Sequence, residues 1–214
     1  MLYFDLHTHQ LSDNSNVLAL VNQYPWVFVA NISNYSIGIH PWYIDEKRLA
    51  ADLEIIEEKL QSKECLALGE CGLDKSIDIP LSVQIPVFEQ QIALAERYQK
   101  PLVLHLVAAF DEFIAIKKRL KISVPIVIHG FSKNEQVAQM LLDNGCYLSF
   151  GKYLLRNPEL ESVFKSVPNE RFFLETDTIE ETIESVYILA ARYKGLTLGE
   201  IQQQVEENFK KLFF

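Results

Sequence analysis

Eight short apolar, β-rich runs separated by stretches of helical periodicity are the feature that most limits what this chain can fold into. The runs are Tyr3–Leu6, Val27–Ile32, Ser36–Ile39, Cys65–Leu68, Leu102–Leu104, Pro125–Ile128, Tyr147–Phe150 and Phe172–Leu174. Most lack polar alternation, the pattern of strands covered on both faces. The segments between them read as helices over Val17–Tyr24, Arg48–Ser62, Val83–Gln99, Phe110–Leu120, Glu135–Asn144 and Glu159–Lys165, and Glu180–Tyr193 and Leu198–Leu212 follow the last run. Ser132 and Asn134 ahead of Glu135, and Thr178 ahead of Glu181, are helix-start signals. The alternation predicts an α/β fold, a TIM-like (β/α)8 barrel, with a doubly wound sheet as the alternative. Only Ser33–Asn34–Tyr35 separates the second run from the third, so the barrel is expected to lack the helix between strands 2 and 3.

A length of 214 residues suits a single domain, 1–214, with a substantial core. No apolar run approaches the roughly 18 residues of a membrane span, and MLYFDLHTH lacks the features of a signal peptide, so a cytoplasmic protein without membrane contact is expected. Cys65, Cys71 and Cys146 are odd in number and widely spaced, which argues against a disulfide framework or a thiolate zinc site. The net charge of -9 argues against binding an extended duplex, which draws on a basic surface to displace counterions. A nucleic-acid substrate should therefore be a short end or a small phosphoester, held by metal, and the chain is expected to be a monomer.

All five histidines, His7, His9, His40, His105 and His129, lie at or just past the C-terminal end of a predicted strand. In a barrel those ends face the catalytic mouth. One histidine so placed is ordinarily structural; five of five point to a site. Strand side chains two apart share a face, so His7 and His9 can hold one metal ion together. Glu70, in LGECGLD, leaves an apolar strand, where a carboxylate carries a desolvation cost unless it is paired or metal-bound. Gly69 and Gly72 beside it permit close backbone packing. In FFLETD, Glu175 and Asp177 share a face and are not easily both ionised without a cation. Asp177, the terminal one, is the better ligand and Glu175 a supporting residue; the alternative is that Asp177 caps a helix starting near Glu180. Lys75, Lys133, Lys152 and Arg156 follow strand ends and could reach a phosphate, though solvated surface charge is the plainer reading of each.

With these residues in hand, the chain resembles the TatD-type metal-dependent hydrolases of the amidohydrolase-like superfamily. The segments that carry the likeness occur in order: DLHTH at 5–9, GIHPW at 38–42, GECGLD at 69–74, PLVLH at 101–105, HGFS at 129–132, YLSFG at 147–151, ETD at 175–177 and the tail NFKKLF at 208–213. The resemblance implies a one- or two-metal site, in a family that includes magnesium-dependent exonucleases acting on DNA. It implies that His7, His9 and Asp177 hold one metal, that Glu70 bridges, and that His105 and His129 complete the second. His40 then falls in the substrate pocket rather than among the ligands. The chain departs from the family at Leu106–Val107, where many relatives carry an arginine or another polar residue. It departs also at Thr178–Ile179, where a proline is common, and in a short segment between His9 and GIHPW.

Imidazole and carboxylate ligands suit zinc, manganese, iron or nickel, and magnesium with waters completing its shell. Two such cations about 3.5–4 Å apart would hold and activate a bridging water for in-line attack on phosphorus. Asp177 and Glu70 are the expected catalytic groups, in a phosphodiesterase or deoxyribonuclease. DLHTHQLSDNS also resembles the opening of the PHP-type phosphoesterases, and an amidase or lactonase of the wider superfamily would use the same activated water. A non-catalytic metal-binding relative is the reading of a different class.

Overall fold

Phe4 and Leu6 point to the core, and the segment around them forms the first strand. The structure, a computed structural model, describes residues 2–214. In chain order its elements are β1 (Tyr3–Thr8), β2 (Val17–Gln23), β3 (Tyr35–Ile37), α1 (Leu49–Leu60), β4 (Cys65–Asp74), α2 (Leu81–Tyr98), β5 (Leu102–Val107), α3 (Phe110–Leu120), β6 (Ile126–Ile128), α4 (Glu135–Asp143), β7 (Tyr147–Phe150), α5 (Lys152–Arg156), α6 (Leu160–Ser166), β8 (Phe172–Leu174), α7 (Ile183–Lys194) and α8 (Leu198–Phe213). One-turn 3-10 helices sit at Pro25–Val27, Pro41–Tyr43 and Asn169–Arg171. The strand order in the sheet follows the chain from β1 to β8.

Two expectations are corrected here. The second strand is Val17–Gln23, which reads as a helix by sequence, and Val27–Ile32 is not a strand. VLALV is a continuous apolar run that periodicity cannot assign to helix or strand. Parallel pairing with β1, Tyr3 against Val17 and Phe4 against Leu18, decides for strand. Pro25 opens a 3-10 turn, and Val27 and Val29 lie exposed at 59% and 55%, so those β-branched residues belong to a loop. No α-helix follows β2, as expected, and none follows β1 either.

The chain packs as two units, residues 2–21 with Val127–Phe214, and Asn22–Ile126. In the first, β7 pairs in parallel with β6 and with β8. The end of β1 meets the segment after β8 through a bridge between Thr8 and Asp177. Its core is aromatic: Phe150, Phe164 and Phe172 meet edge-on at 5.0 and 4.9 Å, and Phe4 packs on Phe209 at 4.8 Å. Each such side chain, once buried, stabilises the fold by about 1.5–3 kcal/mol. α8 opens on a capping box, Thr197 with Glu200, and its Asn208 donates to the Phe172 carbonyl at 2.9 Å. In α7, Tyr187 Oη donates to the Phe4 carbonyl at 2.9 Å and accepts its N–H at 3.0 Å, so the helix holds β1 at the backbone.

In the second unit, β4 pairs in parallel with β3 and β5, and all ten of its residues are buried. The sequence suggests that this strand ends at Leu68; it runs on through Glu70 to Asp74. Gly72 makes that possible, because a Cβ there would stand 2.0 Å from the His105 carbonyl oxygen. α2 contributes two buried glutamines seven residues apart, hence on one face. Gln84 accepts the Asp74 N–H at 2.8 Å and donates to the Asp74 carbonyl at 2.8 Å. Gln91 accepts the Ile39 N–H at 2.7 Å and donates to the Ile39 carbonyl at 3.1 Å. The helix thereby fixes the backbone beside His40 and at the end of β4. Cys65, Cys71 and Cys146 are buried, with no disulfide among the described residues, and burial pushes the Cys71 thiol well above its ordinary range.

Candidate metal centre

In the first unit, backbone pairing brings three donors together. Asp177 N–H donates to the His7 carbonyl at 2.8 Å, and His9 N–H donates to the Asp177 carbonyl at 3.1 Å. Asp177 is thus laced between the two histidines of HxH. Its φ of +55° is one that a short polar residue tolerates. Its Oδ1 stands 3.5 Å from His9 Nε2 and 3.9 Å from His7 Nε2. His7 is fully buried, whereas His9 and Asp177 are each a quarter exposed at the side chain. These donor atoms lie within 4.8 Å of one another, compatible with one cation. Asp177 does not cap a helix: α7 begins at Ile183, with Thr182 in the capping position.

Two carboxylates support this set. Glu175 accepts the Gly130 N–H at 2.7 Å and lies 3.5 Å from His129 Nδ1, while the His129 ring packs 4.3 Å from that of His7. Burial raises the Glu175 carboxyl, and the hydrogen bond and charge of His129, with the charge of His7, hold it below its ordinary value. The sequence suggests a supporting role for Glu175, and the structure sets its carboxylate against Gly130 and His129. Asp5 was not singled out by sequence, although it shares the face of His7 and His9 by the period of two. It is buried and accepts both the Thr176 N–H at 2.9 Å and the Thr176 hydroxyl at 2.6 Å, which pins the residue before Asp177 to β1. Burial pushes its carboxyl up to about 7, against the lowering effect of those two bonds.

In the second unit, Glu70 is the convergence point. Its Oε1 lies 3.1 Å from His40 Nε2 and 3.2 Å from His105 Nδ1, and its backbone N–H donates to Asn22 Oδ1 at 2.8 Å. His40 Nδ1 accepts the Trp42 N–H at 3.1 Å. A neutral His40 therefore carries its proton on Nε2 and donates it to Glu70, so that it orients the carboxylate instead of offering a lone pair. His40, expected from sequence in the pocket and not among the ligands, lies within ligand distance of Glu70 and His105.

His105 is arranged the opposite way. Its Nε2 stands 3.0 Å from Asp74 Oδ2, and that oxygen also accepts the Trp42 indole N–H at 2.7 Å. Burial raises the Asp74 carboxyl, but hydrogen bonds from Ser76, Trp42 and His105 outweigh it and bring it down to about 2. An ionised Asp74 accepts the Nε2 proton and leaves the Nδ1 lone pair facing Glu70 Oε1. A cation placed between these two atoms would be met by a lone pair from each. Sequence gives no sign of Asp74 because the apolar run stops at Leu68, whereas β4 continues to Asp74 and sets Glu70 and Asp74 four apart on one strand face.

Replacing Asp74 by Asn is expected to weaken divalent-metal binding about 10–100-fold, as loss of an outer carboxylate partner does. Titration of manganese into the purified variant checks this; unchanged affinity would show that His105 is oriented without Asp74. Of the four cations considered for phosphate contact, Lys75 is paired with Glu112 at 2.5 Å, and Arg156 lies 3.4 Å from Glu181.

The comparisons with known proteins point one way. The family model described as TatD related DNase matches residues 4–214. A Bacillus subtilis protein, the uncharacterized metal-dependent hydrolase YabD, is 29% identical over 93% of this chain and 82% of its own. The 3'-5' ssDNA/RNA exonuclease TatD of Edwardsiella piscicida is 31% identical over 95% of this chain and 84% of its own. The crystal structure of the TatD homologue YjjV from Escherichia coli superposes with a TM-score of 0.83 at 22% identity, over 99% of this chain and 97% of that one. With eight strands in chain order and an α-helix after each from β3 onward, this likeness establishes the TIM-like (β/α)8 fold class.

Proposed function

The chain belongs to the TatD-related DNase family of metal-dependent hydrolases, and from that premise we propose that it is a phosphodiesterase acting on short or single-stranded nucleic-acid ends. The observation that carries the reading is the convergence of Glu70 Oε1 and His105 Nδ1 at 3.2 Å, with the other nitrogen of His105 engaged by Asp74. The His7, His9 and Asp177 donors support a second position for an ion. A bound manganese, zinc or magnesium ion lowers the pKa of a water and stabilises charge on phosphoryl oxygens.

The remaining work falls to the side chains. His40 holds Glu70 through Nε2, and Asp74 holds His105 so that its Nδ1 lone pair faces inward. Asp177, more open to solvent than His7, is placed to take a proton from a water activated by an ion that His7, His9 and Asp177 would hold. Asp5 and Glu175 keep that carboxylate and the His129 ring in register. The edge of a short strand fits a chain of net charge -9, because contact with a long phosphate backbone draws on cations that are not in surplus here. The relative from Edwardsiella piscicida carries an exonuclease name for single-stranded DNA and RNA, in keeping with this substrate class.

The test is turnover on a phosphodiester panel against a lactone and amide panel with added manganese or magnesium. Phosphodiester cleavage that is lost on chelation is expected. Metal-dependent activity confined to lactones or amides would move the protein to another branch of the superfamily.

A further inference from the structure

We propose that Trp42 and Tyr43 form a stacking platform for an unpaired nucleobase beside the His40, Glu70 and His105 cluster. This deepens the phosphodiesterase reading and rests on it. Both residues lie in the one-turn helix Pro41–Tyr43 that follows His40. The turn is tied to the cluster twice, by the Trp42 N–H to His40 Nδ1 at 3.1 Å and by the Trp42 indole N–H to Asp74 at 2.7 Å. The Trp42 ring stands edge-on to His40 at 5.1 Å and to His105 at 5.9 Å.

With its one polar atom satisfied inward, Trp42 nevertheless remains 53% exposed, and Tyr43 is 44% exposed. One exposed apolar side chain is ordinary on a protein surface; two successive exposed aromatic residues in a turn tied to the cluster are a surface on which a flat ligand can rest. The turn is also braced from below. Tyr24 and Trp26 stack at 4.9 Å and 15°, and Tyr43 meets them edge-on at 5.4 and 5.8 Å. Arg48 lies 4.0 Å over the Trp26 ring, and its guanidinium donates to the Tyr43 carbonyl. A rigid, half-exposed aromatic surface at a metal cluster is suited to a flat, uncharged π-face.

Charge selects the same ligand. Stacking is indifferent to net charge and sequence, whereas a chain of -9 gains little from phosphate contacts. A base inside a duplex has both faces covered by its neighbours, so the platform takes a strand end, and an unpaired base most readily. Two exposed rings are also small beside the roughly 1,000 Å² that a specific protein partner needs.

The experiment is anisotropy titration of a dye-labelled phosphorothioate thymidine octamer, and of a dye-labelled abasic octamer of equal charge, with the manganese-loaded protein. The thymidine octamer is expected to bind about tenfold tighter than the abasic one, equivalent to about 1.4 kcal/mol. Trp42→Ala and Tyr43→Ala should each remove most of that preference. Trp42→Phe, which keeps a ring but loses the bond to Asp74, should retain it, separating stacking from support of the cluster. Equal binding of the two octamers, or unchanged preference in both alanine variants, would overturn the platform. Cleavage of bis(p-nitrophenyl) phosphate by the parent is run alongside. If it persists without a base preference, only the platform fails; if it is absent, the phosphodiesterase reading fails first.

Discussion

Glu70→Gln is expected to lower metal-dependent turnover by more than about 100-fold, beyond what loss of an outer partner costs, while the protein stays folded. The carboxylate is buried, and its Oε1 receives His40 Nε2 at 3.1 Å and faces His105 Nδ1 at 3.2 Å. Gln preserves volume and can still accept the proton of His40. It removes the negative charge that offsets a cation, and it gives His105 an uncharged amide to face. Gln keeps the shape and the bond from His40 and removes a buried charge, so the metal-free protein should stay about as stable as the parent. Circular dichroism with and without manganese, beside initial rates, reads both effects. Near-parental turnover in a folded variant would show that Glu70 is not part of the metal centre.

Asp5→Ala is expected to destabilise the protein by about 3 kcal/mol, since it strands two buried donors at about 1–3 kcal/mol each. For a chain of this size that corresponds to a fall in Tm of roughly 6–12 °C. The donors are the Thr176 N–H at 2.9 Å and its hydroxyl at 2.6 Å. Charging Asp5 in the fold is itself unfavourable, as its upward displacement to about 7 indicates, and this keeps the loss below the sum of two full penalties. Thr176 lies between Glu175 and Asp177, so metal affinity at the His7, His9 and Asp177 set should fall as well. Asp5→Asn retains one acceptor and the shape, and should lose less than Asp5→Ala. Thermal melts of the three proteins decide it; an unchanged Tm in Asp5→Ala would remove Asp5 as the anchor of the segment.

The parts of the site that sequence makes legible are those with strong local chemistry. HxH at the end of β1, the acidic ETD run after β8 and the glutamate between two glycines can each be read without a fold. What sequence could not place were residues that act through others. Asp74 lay beyond the assumed end of β4, because glycines ordinarily terminate a strand pattern; here a Cβ at position 72 would strike the His105 carbonyl, and the strand continues through it. Asn22, which accepts the Glu70 N–H at 2.8 Å, was hidden by the helix assigned to Val17–Tyr24. Gln84 and Gln91 resemble ordinary polar helix positions until the backbone groups they satisfy are seen. The barrel pattern itself survived the misplaced strand, because shifting β2 from Val27–Ile32 to Val17–Gln23 leaves the strand count and order unchanged. What changed was the connection after β1, which also runs without a helix. The aromatic turn at Trp42 and Tyr43 went unread because its exposure is not a property of the sequence.

The most direct test of the central claim is elemental analysis of the protein purified without chelator, repeated after incubation with manganese and with zinc. The reading predicts at least one equivalent of divalent metal per chain, lowered in Glu70→Gln and again in a variant with His7 and His9 replaced by Ala. A folded parent protein that retains none of these metals under any of the three conditions would contradict it.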